Sequence, residues 1–341
     1  MEITRRDMFK GSAAVVVAGA ISGVSQAADD PLQSWNDGAA KQAILNFVKT
    51  TTDKSSSSFV PPELRVAEFD QDGTLWVEHP VYTQVVYCLD RVGSLVKEKP
   101  DLKSREPFKA VLSGDREAIA KLSMDQLFEI VIATQSGMTV EEFREEVNKW
   151  LATAKHPRWN RLYTELVYQP MLEVLRYIRA NGYKTFIATG GSAGFVREYS
   201  ERVYGIPPEQ VCGTEQPFQY GYGKDQRPIL TKAPKFILNN MEAGKIENFY
   251  LLFGSRPYAA FGNSSSDDRQ ICEYTSAGDG TRLAMLVLHD DAQREYAYGP
   301  AQGLPDTKVG TFSQALYDEA KSKGWIVISM KNDWNRIFSF G

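Results

Sequence analysis

Two aspartates, Asp70 and Asp72, stand two positions apart after a short apolar segment and immediately before Gly73. Because residues 64–69 are predicted to form a buried strand, both carboxylates should lie where the chain turns at its end. A carboxylate in such a place can attack phosphorus and form an aspartyl-phosphate, which divides a difficult hydrolysis into two easier steps. Asp70 is the predicted nucleophile. Asp72 is the predicted acid that protonates the leaving oxygen and the base that then activates water. On its own, the Asp-x-Asp-Gly-Thr pattern fits a calcium-binding loop or an acidic turn equally well.

A second candidate segment, Thr189, Gly190 and Gly191, follows a predicted strand at residues 184–188. The Thr189 hydroxyl can hydrogen-bond a phosphoryl oxygen. The amides of Gly190 and Gly191 would form an anion site at the start of a helix predicted to begin near Ser192. The alternative is a glycine turn in which Ser192 caps the helix for stability alone.

Phosphoryl transfer also needs a cation, because the phosphate and the carboxylates gather negative charge in one place. Lys245 is the best candidate, since it precedes a predicted helix at residues 246–253 that leads into a further predicted strand. Lys232 and Lys235 are rivals, and any one of the three lysines can equally be an ordinary surface residue. The predicted phosphate-binding set is Thr189, Gly190 and Lys245.

Residues 262–267 form a serine-rich segment that ends in an aspartate and follows the strand predicted after Lys245. Mg²⁺ prefers octahedral oxygen ligands and retains water molecules, so a few protein oxygens suffice to hold it. The predicted ligands are Asp70, the main-chain carbonyl of Asp72, Asn263 and Asp267. The alternative is a serine-rich turn that caps the next helix. Asp268 stands one position further along and is predicted to point away from the site.

The elements that carry these residues alternate between strands and helices, apart from one helical interruption. Five strands are predicted, at residues 64–69, 184–188, 258–261, 283–288 and 325–329. Between about His79 and Tyr168 the apolar spacing is helical, and Thr139 with Glu142 forms a capping box there. This pattern predicts an α/β fold with a doubly wound parallel sheet. Because the carboxyl ends of parallel strands meet at one edge, the three polar segments should lie together there.

The overall composition excludes several classes of protein. With 39 basic and 43 acidic residues the net charge is −4, so nucleic-acid partners are not expected. Only three histidines and three cysteines occur, which excludes zinc ribbons, histidine-rich metal centres and disulfide scaffolds. Cys88, Cys212 and Cys272 permit one disulfide at most, and buried free thiols are the expected state.

The first 27 residues have the features of a twin-arginine export signal. Arg5 and Arg6 precede an apolar stretch at residues 11–24, and residues 25–27 end in a small side chain that suits a signal peptidase. At 14 residues, the apolar stretch is shorter than the roughly 20 needed to span a bilayer. The alternative is a basic amphipathic start. We therefore predict a periplasmic protein, exported by the twin-arginine translocase and without a stable membrane anchor.

A polar spacer containing serines and prolines, residues 55–62, separates a short predicted helix from the first strand. Four parts of the chain are therefore predicted. They are a signal peptide at residues 1–27, an N-terminal helix and linker at 28–62, a core formed by 63–78 and 168–341, and a helical cap at 79–167.

Taken in order, the candidate segments resemble the four motifs of the haloacid dehalogenase superfamily, in its phosphoserine-phosphatase-like branch. They are residues 69–76, residues 187–191, Lys245 and residues 261–267. The likeness runs from about Val66 to the C-terminus, and tail segments at residues 278–280, 291–298 and 323–325 resemble a bacterial subgroup of such hydrolases. The resemblance implies a Rossmannoid core with a helical cap inserted between the first two motifs. It also implies Mg²⁺ dependence and hydrolysis of a small phosphomonoester through an aspartyl-phosphate. Because dehalogenases lack the second aspartate of the first motif, Asp72 argues against cleavage of carbon–halogen bonds.

The sequence departs from the family pattern in the predicted metal site and after the first motif. Asn263 stands where many members have aspartate and Ser265 where relatives have another acid, so a modest Mg²⁺ affinity is expected. Glu78 is one position too early to match the glutamate of phosphoserine phosphatases, which argues against phosphoserine as substrate. Specificity is expected in the cap, at residues such as Trp76, Glu78, His79, Tyr168 and Gln169. The alternative, which is the more common one for each of these residues, is plain packing at the junction between the core and the cap. The alternatives to a phosphatase are a phosphotransferase and a non-catalytic protein that binds a phosphorylated ligand on the same fold.

Overall fold

The computed structural model describes residues 30–341, so the predicted signal peptide at residues 1–27 lies outside the described residues. Within this range the strands are β1 (Val66–Phe69), β2 (Lys184–Ser192), β3 (Val211–Thr214), β4 (Phe218–Tyr222), β5 (Pro228–Lys232), β6 (Ala259–Gly262), β7 (Leu283–Leu288) and β8 (Ile326–Ser329). The helices are α1 (Ala39–Thr52), α2 (Thr83–Glu98), α3 (Phe108–Ser113), α4 (Arg116–Ala120), α5 (Met124–Gln135), α6 (Val140–Leu151), α7 (Gln169–Ala180), α8 (Ala193–Arg197), α9 (Ser200–Tyr204), α10 (Ala243–Phe253), α11 (Arg269–Ser276), α12 (Gln314–Lys323) and α13 (Met330–Asp333).

Six strands form one parallel sheet in the order β3-β2-β1-β6-β7-β8. β1 occupies a central place between β2 and β6, and all its residues are buried. The chain extends the sheet from β1 in one direction through β2 and β3, and in the other through β6, β7 and β8. In such sheets a ligand crevice lies at the carboxyl ends of the strands where the direction changes, here beside β1 and β6. The predicted α/β fold with a doubly wound parallel sheet is confirmed.

Apolar side chains on the strands and the covering helices form the core. Phe69 of β1 and Phe261 of β6 stack with their ring centroids 4.5 Å apart. α7 turns one apolar stripe towards the sheet, and burial of each such side chain contributes about 1.5–3 kcal/mol to stability. The buried residues of this stripe are Met171, Val174, Leu175 and Ile178, as their i, i+3, i+4, i+7 spacing predicts.

The chain between β1 and β2 contains helices α2 to α6, and within the described residues no strand lies there. α2 packs against α5 and α3. α5 begins with a capping box of Ser123 and Gln126, and α6 with the predicted capping box of Thr139 and Glu142. These reciprocal hydrogen bonds satisfy amides that a helix start leaves unpaired, so both helix starts are fixed.

Two features of the strands were not predicted. β3 adds an edge strand beside β2, and β4 and β5 form a separate antiparallel hairpin in which Phe218 pairs with Lys232. The hairpin meets the helical region where Thr231 forms a bridge with Thr139. β2 also runs further than predicted, to Ser192, because its last residues continue to pair with β3.

The three cysteines are all free and buried, as predicted. Burial raises the pKa of Cys88 to about 11 and the pKa of Cys212 to about 12, so both thiols stay protonated at neutral pH. Among the helices of residues 30–341, none combines the length and the apolar composition needed to cross a membrane.

Candidate active site

The polar segments that follow β1 and β6 meet the last residues of β2 at one edge of the parallel sheet, around a cavity of about 260 Å³. Six predicted site residues line the cavity: Asp70, Asp72, Thr189, Gly190, Asn263 and Asp267. Lys245 lies behind Asp70 near the start of α10. The fold therefore brings the whole predicted set together from four separate stretches of the chain.

Lys245 is fully buried and bonds two carboxylates. Its Nζ donates to Asp70 Oδ1 at 2.8 Å and to Asp268 Oδ1 at 2.6 Å. Burial disfavours the charged ammonium, but Asp268 and Asp70 together outweigh it and hold the pKa of Lys245 well above its usual range. A fixed positive charge thus stands directly beside the predicted nucleophile.

The two rival lysines lie away from this centre. Lys232 is buried with its Nζ 3.5 Å from Glu215 and 4.5 Å from the centre of the Phe143 ring. Lys235 is exposed to solvent. Of the three candidate lysines, Lys245 is the one that reaches Asp70.

The prediction that Asp268 points away from the site is wrong. Its Oδ1 accepts from Lys245, and its Oδ2 accepts from the amides of Asn263 and Ser264, both at 2.8 Å. Asp268 stands at the N-cap position of α11, but its side chain makes no capping hydrogen bond to this helix, because it turns back towards β6. The Asp268 carboxylate therefore returns to the end of β6, where it fixes both Lys245 and the loop that carries Asn263.

Burial sets the acidity of the two aspartates that follow β1. Burial and the nearby Asp268 carboxylate raise the pKa of Asp70, and Lys245 acts in the opposite direction. Burial also raises the pKa of Asp72 to about 6, although Trp76 Nε1 donates to Asp72 Oδ1 at 2.8 Å. A carboxyl group with a pKa near 6 can both give and accept a proton near neutral pH, as a general acid and base must.

The end of β2 differs in part from the predicted anion site. The Gly191 amide donates to Thr189 Oγ1 at 3.0 Å, and the Ser192 amide donates to Gln84 Oε1 at 2.7 Å. Gln84 belongs to α2 and lines the cavity, and its buried Nε2 has no hydrogen-bond partner among residues 30–341. Gln84 was not predicted, yet its Nε2 is a fixed donor available to an anion in the cavity.

Gly190 and Asp267 approach each other closely across the cavity wall. A β-carbon added at position 190 would overlap the Asp267 carboxylate, so this approach requires glycine. Burial raises the pKa of Asp267 to about 6. Asp267 Oδ1 is buried, and the described part of the chain offers it no hydrogen-bond partner.

The oxygen donors at this edge fit Mg²⁺. Asp267 Oδ1 is an orphaned carboxylate oxygen, and Asp70 supplies a second carboxylate to the same cavity. Within the described residues no three His, Cys, Asp or Glu side chains form a preassembled metal cluster. The other ligands would therefore be backbone oxygens, such as the predicted carbonyl of Asp72, and water, which Mg²⁺ commonly retains.

Asn263, the fourth predicted ligand, is already engaged by protein groups. Thr74 Oγ1 donates to Asn263 Oδ1 at 3.3 Å, and Asn263 Nδ2 donates to Glu78 Oε1 at 2.7 Å. Glu78 Oε1 also accepts from the Tyr298 hydroxyl at 2.8 Å. Burial raises the pKa of Glu78 well above its usual range, although the Tyr298 hydrogen bond opposes this shift. The neutral form of Glu78 is therefore favoured at the cavity wall.

Residues near the C-terminal end of the chain, His289 and Tyr298, stabilise the turn that follows β1. Tyr298 stacks on the His289 ring with centroids 4.4 Å apart. His289 Nε2 in turn donates to the carbonyl oxygen of Gly73 at 2.8 Å. These contacts hold the turn that carries Asp72, and the sequence pattern did not reveal them.

Most of the candidate specificity residues lie outside the cavity wall, in line with the packing alternative. Of these five residues Glu78 lines the cavity, whereas Trp76, His79, Tyr168 and Gln169 are not part of the wall that the described residues form. Helix α5 supplies much of the wall instead, through Met124, Leu127, Phe128 and Val131. The helical spacing of these residues was recognisable, but spacing alone does not distinguish a cavity wall from a packed core.

Comparison with protein families agrees with this arrangement over part of the chain. A family model described as haloacid dehalogenase-like hydrolase matches residues 64–217. This range includes Asp70, Asp72 and Thr189, whereas Lys245 and Asp267 lie beyond it. Among curated proteins, no significant sequence match was found.

Several solved structures are similar to this chain at low sequence identity. A conserved protein of unknown function from Anaerococcus prevotii DSM 20548 has a TM-score of 0.51 and 14% identity, and the alignment covers 74% of this chain and 86% of that one. A protein of unknown function from Bordetella pertussis Tohama I has a TM-score of 0.46 and 14% identity, with coverages of 77% and 97%. A phosphoserine phosphohydrolase-like protein from Francisella tularensis subsp. tularensis SCHU S4 has a TM-score of 0.36 and 15% identity, with coverages of 66% and 88%. At such identity the first likeness concerns the fold alone.

Proposed function

We propose that this protein is a magnesium-dependent phosphatase that hydrolyses a small phosphomonoester through an aspartyl-phosphate on Asp70. The observation that carries the proposal is the buried contact between Lys245 and Asp70, beside Asp72 in the wall of a cavity. The match of residues 64–217 to haloacid dehalogenase-like hydrolases supports a hydrolase.

In the first step, the Asp70 oxygen that does not bind Lys245 attacks phosphorus. A bond forms between this oxygen and phosphorus, the bond from phosphorus to the leaving oxygen breaks, and Asp72 transfers its proton to that oxygen. Lys245 offsets the charge that gathers at Asp70 and on the phosphoryl group. Gln84 Nε2 is free to donate to a phosphoryl oxygen, and the Thr189 hydroxyl can do the same because it accepts, rather than donates, in its bond with the Gly191 amide.

In the second step, Asp72 acts as a base because it has given up its proton. It takes a proton from a water molecule while the water oxygen attacks phosphorus, and the bond between phosphorus and Asp70 breaks. Inorganic phosphate leaves, Asp70 is again a carboxylate, and Asp72 again carries a proton. The pKa of about 6 at Asp72 suits both directions of this transfer.

Mg²⁺ would be held by Asp70, Asp267 and the Asp72 carbonyl. When bound, the ion supplies positive charge that offsets the phosphate and the carboxylates. The unpartnered oxygen of Asp267 supports this assignment. The charges of the chain itself support it as well, because Asp70, Asp72, Asp267 and Asp268 gather around the single ammonium of Lys245.

The assay that tests this proposal measures release of para-nitrophenol from its phosphate ester by the purified full-length chain. We expect release with Mg²⁺, loss of release in excess chelator, and no turnover by the Asp70→Asn variant. Binding of inorganic phosphate without turnover would instead support a non-catalytic binding protein. Transfer of the phosphoryl group to an added alcohol in preference to water would support a phosphotransferase.

We further propose export to the periplasm by the twin-arginine translocase, on the sequence features of residues 1–27. Replacement of both Arg5 and Arg6 by lysine should retain the chain in the cytoplasm of cells that have this translocase. Equal export of the doubly substituted chain would contradict the proposal. The measurement is cell fractionation followed by immunodetection.

A further inference from the structure

Helix α5 contributes a stripe of apolar side chains to the lining of the cavity. Met124, Leu127, Phe128 and Val131 lie at positions i, i+3, i+4 and i+7 of α5, so they share one face of the helix. None of the four is fully buried, and Met124 is 47% exposed. A helix normally turns such a stripe into the core. Here Leu127 and Val131 pack in part against the core, and all four side chains also border the cavity.

The same cavity is also lined by the reacting groups Asp70, Asp72 and Thr189. Phe236, from the loop after β5, adds to the apolar lining, and the Phe236 and Phe128 rings meet edge to face with their centroids 5.8 Å apart. The cavity thus combines polar groups suited to a phosphoryl group with apolar side chains suited to whatever the phosphoryl group is attached to.

The lining of the cavity offers few partners for a charged leaving group. Among the described residues that line the cavity, Lys308 is the only cation, and it is exposed to solvent. Glu78 Oε1 already accepts hydrogen bonds from Asn263 and Tyr298. A substrate carboxylate or ammonium placed against α5 would lose its hydration without gaining a partner, which is costly.

The volume sets how much of a leaving group the cavity can enclose. A closed apolar cavity of about 150 Å³ accommodates benzene. The cavity here measures about 260 Å³, so it has room for a phosphoryl group and roughly one ring. A nucleoside or a lipid chain would not be enclosed.

We infer that the substrate is a phosphomonoester of an uncharged, apolar alcohol about one ring in size, whose apolar part packs against Leu127, Phe128 and Phe236. This inference rests on the proposed phosphatase function and adds the substrate class to it. It follows from the stripe on α5, the aromatic contact with Phe236 and the shortage of cations in the wall.

The test compares three phosphate esters of aliphatic alcohols with the full-length chain in Mg²⁺: benzyl phosphate, glycerol phosphate and phosphoserine. Their leaving groups are all alkoxides, so differences in kcat/KM report mainly on the cavity. We expect kcat/KM for benzyl phosphate to exceed the other two values by about tenfold or more, since burial of an apolar group of this size contributes a few kcal/mol.

Substitutions in α5 connect this preference to the wall. Phe128→Ala should lower the ratio of kcat/KM for benzyl phosphate to that for glycerol phosphate about tenfold, and Phe128→Leu should retain most of the ratio. Ile132→Ala is the matched control, because Ile132 is a half-buried apolar residue of the same helix that does not line the cavity among the described residues. Thermal unfolding of each variant identifies any loss of fold.

The outcomes separate this inference from the function on which it rests. Hydrolysis of all three esters with equal efficiency, or with preference for phosphoserine, would overturn the substrate class and leave the phosphatase intact. An unchanged ratio in folded Phe128→Ala would also overturn it. Hydrolysis of none of the esters by folded protein in Mg²⁺ would overturn the proposed function and this inference together.

Discussion

At the scale of single residues, the centre of the site is a buried lysine shared between two aspartates. Lys245 bonds Asp70 and Asp268, and Asp268 also holds the amides of Asn263 and Ser264. Asp268 is not among the described residues that line the cavity and acts through Lys245, so it is a positioning residue. Its contribution is to keep Lys245 from binding Asp70 alone.

We therefore expect Asp268→Asn to lower kcat by about tenfold or more, in the range typical of groups that orient catalytic ligands. The loss arises because Lys245 would then neutralise Asp70 more completely, and because the loop at Asn263 would lose one acceptor. Steady-state kinetics with para-nitrophenyl phosphate measure the effect. Asp101→Asn, at an exposed aspartate, is the control. Equal activities of the two variants would contradict this role for Asp268.

Gln84 provides a second prediction at this scale. Its Oε1 accepts from the Ser192 amide while its Nε2 is unpartnered in the described structure, so the side chain is fixed with a donor available to the cavity. Gln84→Glu keeps the acceptor but replaces the donor with negative charge, so KM for para-nitrophenyl phosphate should rise about tenfold or more.

The control for Gln84→Glu is the same change at Gln126. Its Oε1 accepts from the Ser123 amide in the capping box at the start of α5, and a glutamate can accept in the same way. Gln126→Glu should leave KM within about twofold. A rise in KM at Gln126 as large as that at Gln84 would mean that the added charge acts on the phosphate from a distance, rather than through the lost donor.

The sequence predicted the position of a site residue where that residue directly follows a strand. It did not predict the direction of a side chain where a loop determines that direction. Asp70, Asp72 and Thr189 follow buried strands, so their positions at the sheet edge could be predicted. Asp267 and Asp268 are adjacent, and only the geometry of the loop shows that Asp268 turns back to Lys245. Nothing in the sequence indicated that Gln84 is a site residue, because it stands in an ordinary amphipathic helix.

At the scale of elements, β1 contains a buried acid that the proposed mechanism does not use. Both oxygens of Glu68 are buried, and neither has a hydrogen-bond partner among residues 30–341. Burial raises the pKa of Glu68 well above its usual range, although Lys245 opposes the shift. The folded protein therefore holds a proton at Glu68 that the unfolded chain releases above about pH 4.3.

This difference predicts that Glu68 weakens the fold as the pH rises. Above the pKa of the unfolded chain, the native state binds one proton more, so the free energy of unfolding falls by about 1.4 kcal/mol for each pH unit up to the native pKa. Glu68→Gln removes this slope, so its free energy of unfolding relative to wild type should increase from pH 5 towards neutral pH.

Chemical denaturation at several pH values, in the presence of chelator, measures the difference. Glu63→Gln changes an exposed glutamate in the turn before β1 and should show no such trend. A constant difference between Glu68→Gln and wild type across the pH range would indicate that Glu68 is not protonated in the folded protein.

Strands could be predicted from the sequence where a short apolar segment is followed directly by residues typical of turns. All five predicted strands occur, with ends that differ by a few residues. The hairpin of β4 and β5 was missed because it does not contribute to the parallel sheet and exposes Phe218, Tyr220 and Tyr222. Its alternation of aromatic and small or polar residues was a hairpin signal.

At the scale of the whole molecule, distant parts of the chain complete the site. Tyr298 donates to Glu78 across 220 positions, and Lys245 donates to Asp70 across 175. Contacts at such separation depend on how the sheet is ordered, which periodicity does not specify. The apolar face of α5 became a cavity wall for the same reason.

The proposed function predicts a covalent intermediate at one defined residue, and the most direct measurement looks for it there. A single turnover with para-nitrophenyl phosphate and Mg²⁺ is stopped with acid, treated with borohydride and analysed by peptide mass spectrometry. Borohydride reduces an aspartyl-phosphate to homoserine, so the account predicts homoserine at position 70 in wild type. More homoserine is expected at position 70 in Asp72→Asn, because this variant lacks the base that activates water for the second step. None is expected in Asp70→Asn. Release of phosphate by wild type with position 70 unmodified in both wild type and Asp72→Asn would contradict the account.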